Sequence, residues 1–319
     1  MRQKFFTLLL ISAIGFASCR KDKIEQTIKQ YDESQMQNYI KVHGLTGMQK
    51  DTIGGDTSGI YYKIIMPGNI VPPATTLVPL DYPDNVSFVF QLSSFDGRYI
   101  TLDTIQNHID DYLGHLTNDA LPSGLQLAIK KLVKYKGASA RILIPSHLAY
   151  GVNGYGSGSS SVTNTKIAGN QCLDYYVHLI SDYTTYDDQV IHNNWNLTGY
   201  TKMQSDALPG NYYYYKVLTP GTTGAAPITE TTTMTVNYTG SLLNGTIFDG
   251  SNNGANTIEQ PISQIALSGL KEALEKFATT GTKISVILPS KLAYGTTSAG
   301  TIPINSVLRF SYVIISTVP

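Results

Sequence analysis

Val236-Asn237-Tyr238-Thr239-Gly240, Asn244-Gly245-Thr246-Ile247-Phe248-Asp249, Leu288-Pro289-Ser290-Lys291-Leu292-Ala293-Tyr294-Gly295 and Thr301-Ile302-Pro303-Ile304-Asn305-Ser306-Val307-Leu308-Arg309-Phe310 decide how the last third of this 319-residue chain is read. Met234 to Tyr238 alternates apolar and polar residues, the two-residue period of a strand with one buried face. Ser263 to Phe277 then changes period: Ile265, Leu267, Leu270, Ala273, Leu274 and Phe277 form the apolar stripe of a short helix. Thr282 to Leu288 returns to strand and stops at Pro289. Val307 to Ile315 is the last strand. Several strands and one helix segregated on an antiparallel sheet predict an α+β unit.

The same unit occurs twice. Gly59-Ile60-Tyr61-Tyr62-Lys63-Ile64-Ile65-Met66-Pro67-Gly68 recurs as Tyr212-Tyr213-Tyr214-Tyr215-Lys216-Val217-Leu218-Thr219-Pro220-Gly221, and Ile144-Pro145-Ser146-His147-Leu148-Ala149-Tyr150-Gly151 as Leu288 to Gly295. Upstream, Tyr31-Asp32-Glu33-Ser34-Gln35 echoes Tyr186-Asp187-Asp188-Gln189-Val190. A period this long means two tandem domains and not a solenoid. Each copy is expected to begin with a polar helix, about Lys23–His43 and Tyr186–Asn196. The first copy's counterpart of the short helix falls at about Ser123–Tyr135. The join near Asp182–Tyr186 is short, so the domains should touch.

Over roughly the last hundred residues these motifs, in this order, resemble the FK506-binding-protein (FKBP) family of peptidyl-prolyl isomerases. The resemblance implies a curved antiparallel sheet wrapped around one short helix, in two tandem copies. It implies that Phe248, Leu267, Leu270, Ile302 and Phe310, with Tyr238, line a pocket for a proline ring. Tyr294 would donate its hydroxyl to a substrate carbonyl, the Ile302 N–H would bond a second one, and Asp249 beside Tyr238 would set the electrostatics at the twisting bond. Asp249, Tyr238 and Tyr294 are thus the catalytic candidates. Taken singly, each aromatic would be read as core and Asp249 as a turn carboxylate near Asn244-Gly245; the joint order favours a site. One departure from the family is Leu270 where a Trp usually forms the pocket floor. The chain's one tryptophan, Trp195, lies in the linking helix region.

Aligned on the same motifs, the first copy is degenerate. Phe90 replaces Tyr238, Ile100 and Thr101 stand for Phe248 and Asp249, Ile167-Ala168 for Ile302-Pro303, and Tyr175 for Phe310, while Tyr150 and Leu125 remain. The carboxylate and one aromatic wall are gone. Gly151 to Ser159 reads as a long flexible loop; its glycines lack a Walker lysine and carry no phosphate-site signal.

Met1-Arg2-Gln3-Lys4, an apolar run from Phe5 to Phe16, and Ala17-Ser18-Cys19 read as a leader of residues 1–18. Cys19 directly after Ala-Ser resembles a bacterial lipobox, which implies a lipidated Cys19 and membrane attachment. An ordinary signal peptide with an incidental cysteine is the alternative. Cys172 has no other internal partner for a disulfide and sits in a strand-like run, as a small core residue does. Lys plus Arg and Asp plus Glu are both 23, which gives no electrostatic case for nucleic acid. The 22 tyrosines and 28 glycines suit a β-rich, turn-rich envelope protein. Of six scattered histidines, His108 and His115 with Asp110 and Asp111 between them read as a solvated helix face and not as a metal site. No metal and no cofactor are expected.

The expected layout is a leader at 1–18, a tether and N-terminal helix at 19–56, a degenerate FKBP-like domain at 57–182 and an FKBP-like domain with an intact pocket at 183–319. The expected activity is peptidyl-prolyl cis–trans isomerisation in the C-terminal domain, on proline-containing polypeptide clients of a bacterial cell envelope. The alternatives are a non-catalytic chaperone or assembly subunit that holds proline-containing segments, and a structural stalk.

Overall fold

The computed structural model describes residues 27–53, 58–251 and 256–319, so the leader and Cys19 lie outside the described residues. Helix α1 (Ile28–Val42) starts at Thr27, whose hydroxyl accepts from the Gln30 N–H while the Gln30 side chain accepts from the Thr27 N–H. This reciprocal box satisfies two donors that a helix start leaves orphaned. The first module then forms β1 (Gln49–Lys50), β2 (Tyr61–Met66), β3 (Asn85–Ser94), β4 (Ile100–Thr101) and β5 (His108–Tyr112). It continues with helix α2 (Ser123–Ala128, extended by a wide turn to Val133), β6 (Ser139–Ile144), a small hairpin β7 (Tyr155–Gly156) and β8 (Lys166–Ile167), and β9 (Leu173–Leu179). Residues 180–182 lead into α3 (Tyr183–Asn194), capped by the Asp182 carboxylate.

The second module repeats the plan with β10 (Thr201–Gln204), β11 (Tyr212–Thr219), β12 (Thr233–Leu242), β13 (Ile247–Gly250), β14 (Ile258–Pro261), α4 (Ser268–Phe277), β15 (Lys283–Leu288) and β16 (Leu308–Val318). The first sheet runs β1-β2-β6-β9-β3-β4 with β5 also on β3; the second runs β10-β11-β15-β16-β12-β13 with β14 also on β12. Strand for strand the two orders are the same, and each helix packs its apolar stripe on its own sheet. The α+β tandem fold expected from the repeat is the fold observed.

The duplicated Tyr-Asp-acid motif is a clasp. Asp32 of α1 is buried and accepts from Ser146 Oγ at 2.7 Å and from the His147 N–H at 3.3 Å; Glu33 accepts from the Tyr61 hydroxyl at 2.6 Å and from Lys50 at 2.7 Å. In the copy, Asp187 of α3 accepts from the Ser290 N–H at 2.7 Å and from its Oγ at 2.6 Å, while Asp188 takes the Tyr214 hydroxyl and Lys202. A buried carboxylate needs such donors, and here they lie in the turn after Pro145 or Pro289. Helix α1 and β1 therefore pack with the first module.

Three local expectations are corrected. The helix expected from Ser263 starts at Ser268, because Ile265 to Leu267 is extended after a single 3-10 turn. The helix-like reading of His108–His115 gives way to strand β5 and a 3-10 turn, since the segment pairs with β3. The loop after Gly151 is built as a 3-10 turn and the β7–β8 hairpin. Cys172 is 2% exposed, and burial pushes its thiol up to about 12, as befits a core residue.

Candidate active site

The second sheet and its helix carry the residues singled out above. Tyr238 and Gly240 on β12 face Tyr312 and Phe310 on β16, and Asp249 on β13 lies opposite Gly240. The ladder between β12 and β13 slips at Gly240/Ser241, a bulge that brings Phe248 over the β12 glycine. A Cβ built on Gly240 would stand 2.7 Å from the Phe248 ring and 2.9 Å from the Phe310 ring. Only a residue without a side chain lets those two rings meet, edge to face with centroids 5.8 Å apart. Leu270 on α4, Ile302 and Phe310 are buried in the same cluster, with Leu267 at the start of the helix. Gly245, at φ +86°, makes the turn that carries β13 back to β12.

The polar groups sit at the rim. The Tyr238 hydroxyl donates to Asp249 Oδ2 at 2.9 Å, and the Gly250 N–H donates to Asp249 Oδ1 at 2.8 Å. Burial, then the Asp249 carboxylate, push the Tyr238 phenol up to about 12, so it remains a donor at neutral pH. Asp249 itself is exposed. Tyr294 follows the turn anchored by Asp187, and it is 37% exposed. Its hydroxyl makes no hydrogen bond among the described residues. The Ile302 N–H, expected to bond substrate, is used internally: it donates to the Ala299 carbonyl at 2.9 Å. The Leu267 N–H, just before α4, is one of several backbone donors at this helix start that have no acceptor among the described residues.

The first module holds the corresponding positions differently. Phe90 lies opposite Val177 as Tyr238 lies opposite Tyr312, and Leu92 lies opposite Tyr175 as Gly240 lies opposite Phe310. Thr101 pairs with Leu92 as Asp249 pairs with Gly240. Leu92 is 4% exposed, so an isobutyl group fills the space that Gly240 leaves to two rings. The Tyr150 hydroxyl is spent on the Ala120 carbonyl at 3.0 Å, and its ring stacks on Tyr155 of the hairpin at 4.6 Å.

Two contributors escaped the sequence reading. Gly240 carries no signal on its own; setting Tyr238-Thr239-Gly240 over Phe90-Gln91-Leu92 exposes the contrast. Tyr312 stacks on Tyr238 with centroids 5.1 Å apart and donates to Gln260 Oε1 at 3.1 Å, which backs the Tyr238 ring. Its alternation with Phe310 along one strand was the available signal. Among the described residues no cluster of His, Cys, Asp and Glu has the geometry to hold a metal ion, and no helix is long and apolar enough to cross a membrane.

Residues 224–314 match the family of FKBP-type peptidyl-prolyl cis-trans isomerases. An FKBP-type peptidyl-prolyl cis-trans isomerase FkpA of Aeromonas hydrophila is 42% identical over 88 residues, covering 28% of this chain and 32% of the relative. The outer membrane protein MIP of Legionella longbeachae is 38% identical over 86 residues, covering 27% and 35%. The crystal structure of FkpA from Escherichia coli aligns at 26% identity over 43% of this chain and 58% of that one, with a TM-score of 0.35. The chain thus spans about a third of the length of these curated relatives.

Proposed function

We propose that the second module, within residues 183–319, is a peptidyl-prolyl cis–trans isomerase acting on proline-containing polypeptides. The observation that carries this reading is the Tyr238–Asp249 pair at the open rim of the Phe248, Phe310, Leu270 and Ile302 cluster. An X-Pro bond isomerises through a twisted amide about 18–20 kcal/mol above the planar one, with no bond made or broken. The catalyst has only to bind the twisted form better than the planar one. The apolar cluster would hold the proline ring out of water, where fixed charges and dipoles act strongly. The Tyr294 hydroxyl and the Leu267 N–H are donors for the flanking substrate carbonyls, and Asp249 is the fixed charge beside the twisting bond. Leu270 makes a floor smaller and less rigid than an indole, which favours a looser fit to the ring.

The test is an NMR exchange or protease-coupled assay of X-Pro isomerisation by the full chain beside Asp249→Ala. Hydrogen bonds to charged groups contribute about 1.5–3 kcal/mol, so the variant should lose about tenfold to a hundredfold in rate and keep its melting temperature. A folded wild-type chain that does not accelerate exchange would instead make the module a non-catalytic holder of proline-containing segments.

We further read residues 57–182 as a non-catalytic domain, and the protein as a lipid-anchored folding factor of a bacterial envelope, attached through Cys19. The charged, apolar and Ala-Ser-Cys order of the leader supports the anchor, and the outer-membrane location in the name of one relative agrees with it. Cys19→Ala should move the protein from the membrane to the soluble fraction of cells. Persistence in the membrane fraction would remove Cys19 from this role.

A further inference from the structure

Two loops flank the candidate site of the second module, and one segment of the first module bonds to both. The β12–β13 turn leads into the strand that carries Phe248 and Asp249, and its Asn244 donates from Nδ2 to Asp103 Oδ2 at 2.9 Å. The loop between Tyr294 and β16 carries Ile302, and its Asn305 donates from Nδ2 to Asp110 Oδ2 at 3.3 Å. Asn305 is 3% exposed, stands at φ +53°, and its N–H holds the Gly295 carbonyl next to Tyr294 at 2.6 Å. Between the two aspartates, Ile105 packs against both apolar clusters of the second module, the one under the pocket and the one containing Leu243 and Val307. The turn that presents Ile105 is itself fixed, because Asp103 Oδ1 accepts from the Ile105 N–H at 2.8 Å. The seam leaves a cavity of about 20 Å³ among Ile105, His108, Leu243, Asn305 and Val307, room for about one water.

We propose that Asp103, Ile105 and Asp110 are positioning residues for the second module's pocket, and that the first module is kept as a brace for it. Each end of the brace reaches a different side of the candidate site, so the separation between Asp249, on the strand after one loop, and Tyr294 and Ile302 on the other side depends on the segment 103–110. Contiguous packed side chains and hydrogen bonds of this kind can carry coupling between two parts of a molecule. The kinetic part of the proposal rests on the isomerase reading; the structural part does not.

Its test uses the full chain and the triple variant Asp103→Ala, Ile105→Ala, Asp110→Ala. Hydrogen–deuterium exchange should quicken in residues 243–250 and 295–307 and stay unchanged in β15 and β16. The Michaelis constant for an X-Pro peptide should rise about twofold to tenfold with little change in kcat. Asp110→Asn alone, which keeps an acceptor oxygen for Asn305, should exchange as the wild type does, whereas Asp110→Ala should loosen 295–307. If the triple variant does not fold, the single Asp110→Ala and Asn244→Ala changes report on the two loops separately. Unaltered exchange in both loops overturns the brace. A wild-type chain without isomerase activity, combined with loosened loops in the variant, retains the brace and removes the isomerase.

Discussion

The two modules share a strand order, a helix and a carboxylate clasp, and they part at one pair of facing positions. Gly240 leaves room for the Phe248 and Phe310 rings to meet edge to face against the strand; at the matching position Leu92 carries a buried side chain of its own. Around Leu92 the other losses follow: Thr101 where Asp249 stands, and a Tyr150 hydroxyl already bonded to Ala120 where that of Tyr294 is open. A duplicated fold keeps its stability by packing, but a pocket is unpacked volume, and nothing in the energetics of the fold maintains it.

Transplanting the difference should have the largest effect. Gly240→Leu puts the first module's residue into the second; X-Pro exchange should drop to the uncatalysed rate, with an overpacking cost of about 1–3 kcal/mol read from denaturant melts. A variant that still isomerises would mean that the ring contact over Gly240 does not shape the site. The converse Leu92→Gly should open space without conferring activity, because no carboxylate stands at Thr101.

The clasps differ next. Asp32 uses both oxygens, on Ser146 and on His147, whereas Asp187 bonds Ser290 through Oδ2 and leaves Oδ1 buried without a partner. Burial raises the Asp187 carboxyl from 3.8 to about 7. A folded-state value above the unfolded one means that the folded chain binds the proton more tightly. The stability this group contributes is therefore full below about pH 4 and lost as pH rises through 7. Melts between pH 5 and 8 should show the second module weakening by on the order of a few kcal/mol, at about 1.4 kcal/mol per pKa unit. Asp187→Asn, which cannot ionise, should flatten that slope. An identical slope in the variant would assign the pH dependence elsewhere. The smallest effect belongs to Tyr294→Phe, which removes one open hydroxyl and should weaken peptide binding by about 0.5–1.5 kcal/mol in titration calorimetry. The equivalent Tyr150→Phe should leave peptide binding unchanged, since that hydroxyl is turned to its own backbone.

Much of this was legible in the chain. The long repeat and the switches from two-residue to helical periodicity carry the tandem α+β fold, because alternation and stripes are local records of what will be buried. Local pattern failed where tertiary pairing decides. His108-Ile109-Asp110-Asp111-Tyr112 has little strand character by itself and becomes β5 only by pairing with β3. Ile265 to Leu267 continues a helical stripe, yet the backbone is extended there and brings the Leu267 amide out of the helix. The aromatic and acidic members of the site could be named in advance from their order. The role of Gly240 could not, because a glycine reports nothing about which rings will close over it. The Asn244–Asp103 and Asn305–Asp110 bonds join residues 141 and 195 positions apart, and no spacing rule reaches that far.

The most direct test of the contrast is an NMR titration of the full chain with a short X-Pro peptide, following amide and aromatic resonances in both modules together. The account predicts saturable shifts at Tyr238, Phe248, Leu267, Tyr294 and Phe310, with none at Phe90, Leu92, Tyr150 and Tyr175. Shifts centred on the first module, or shared equally by the two, would contradict it.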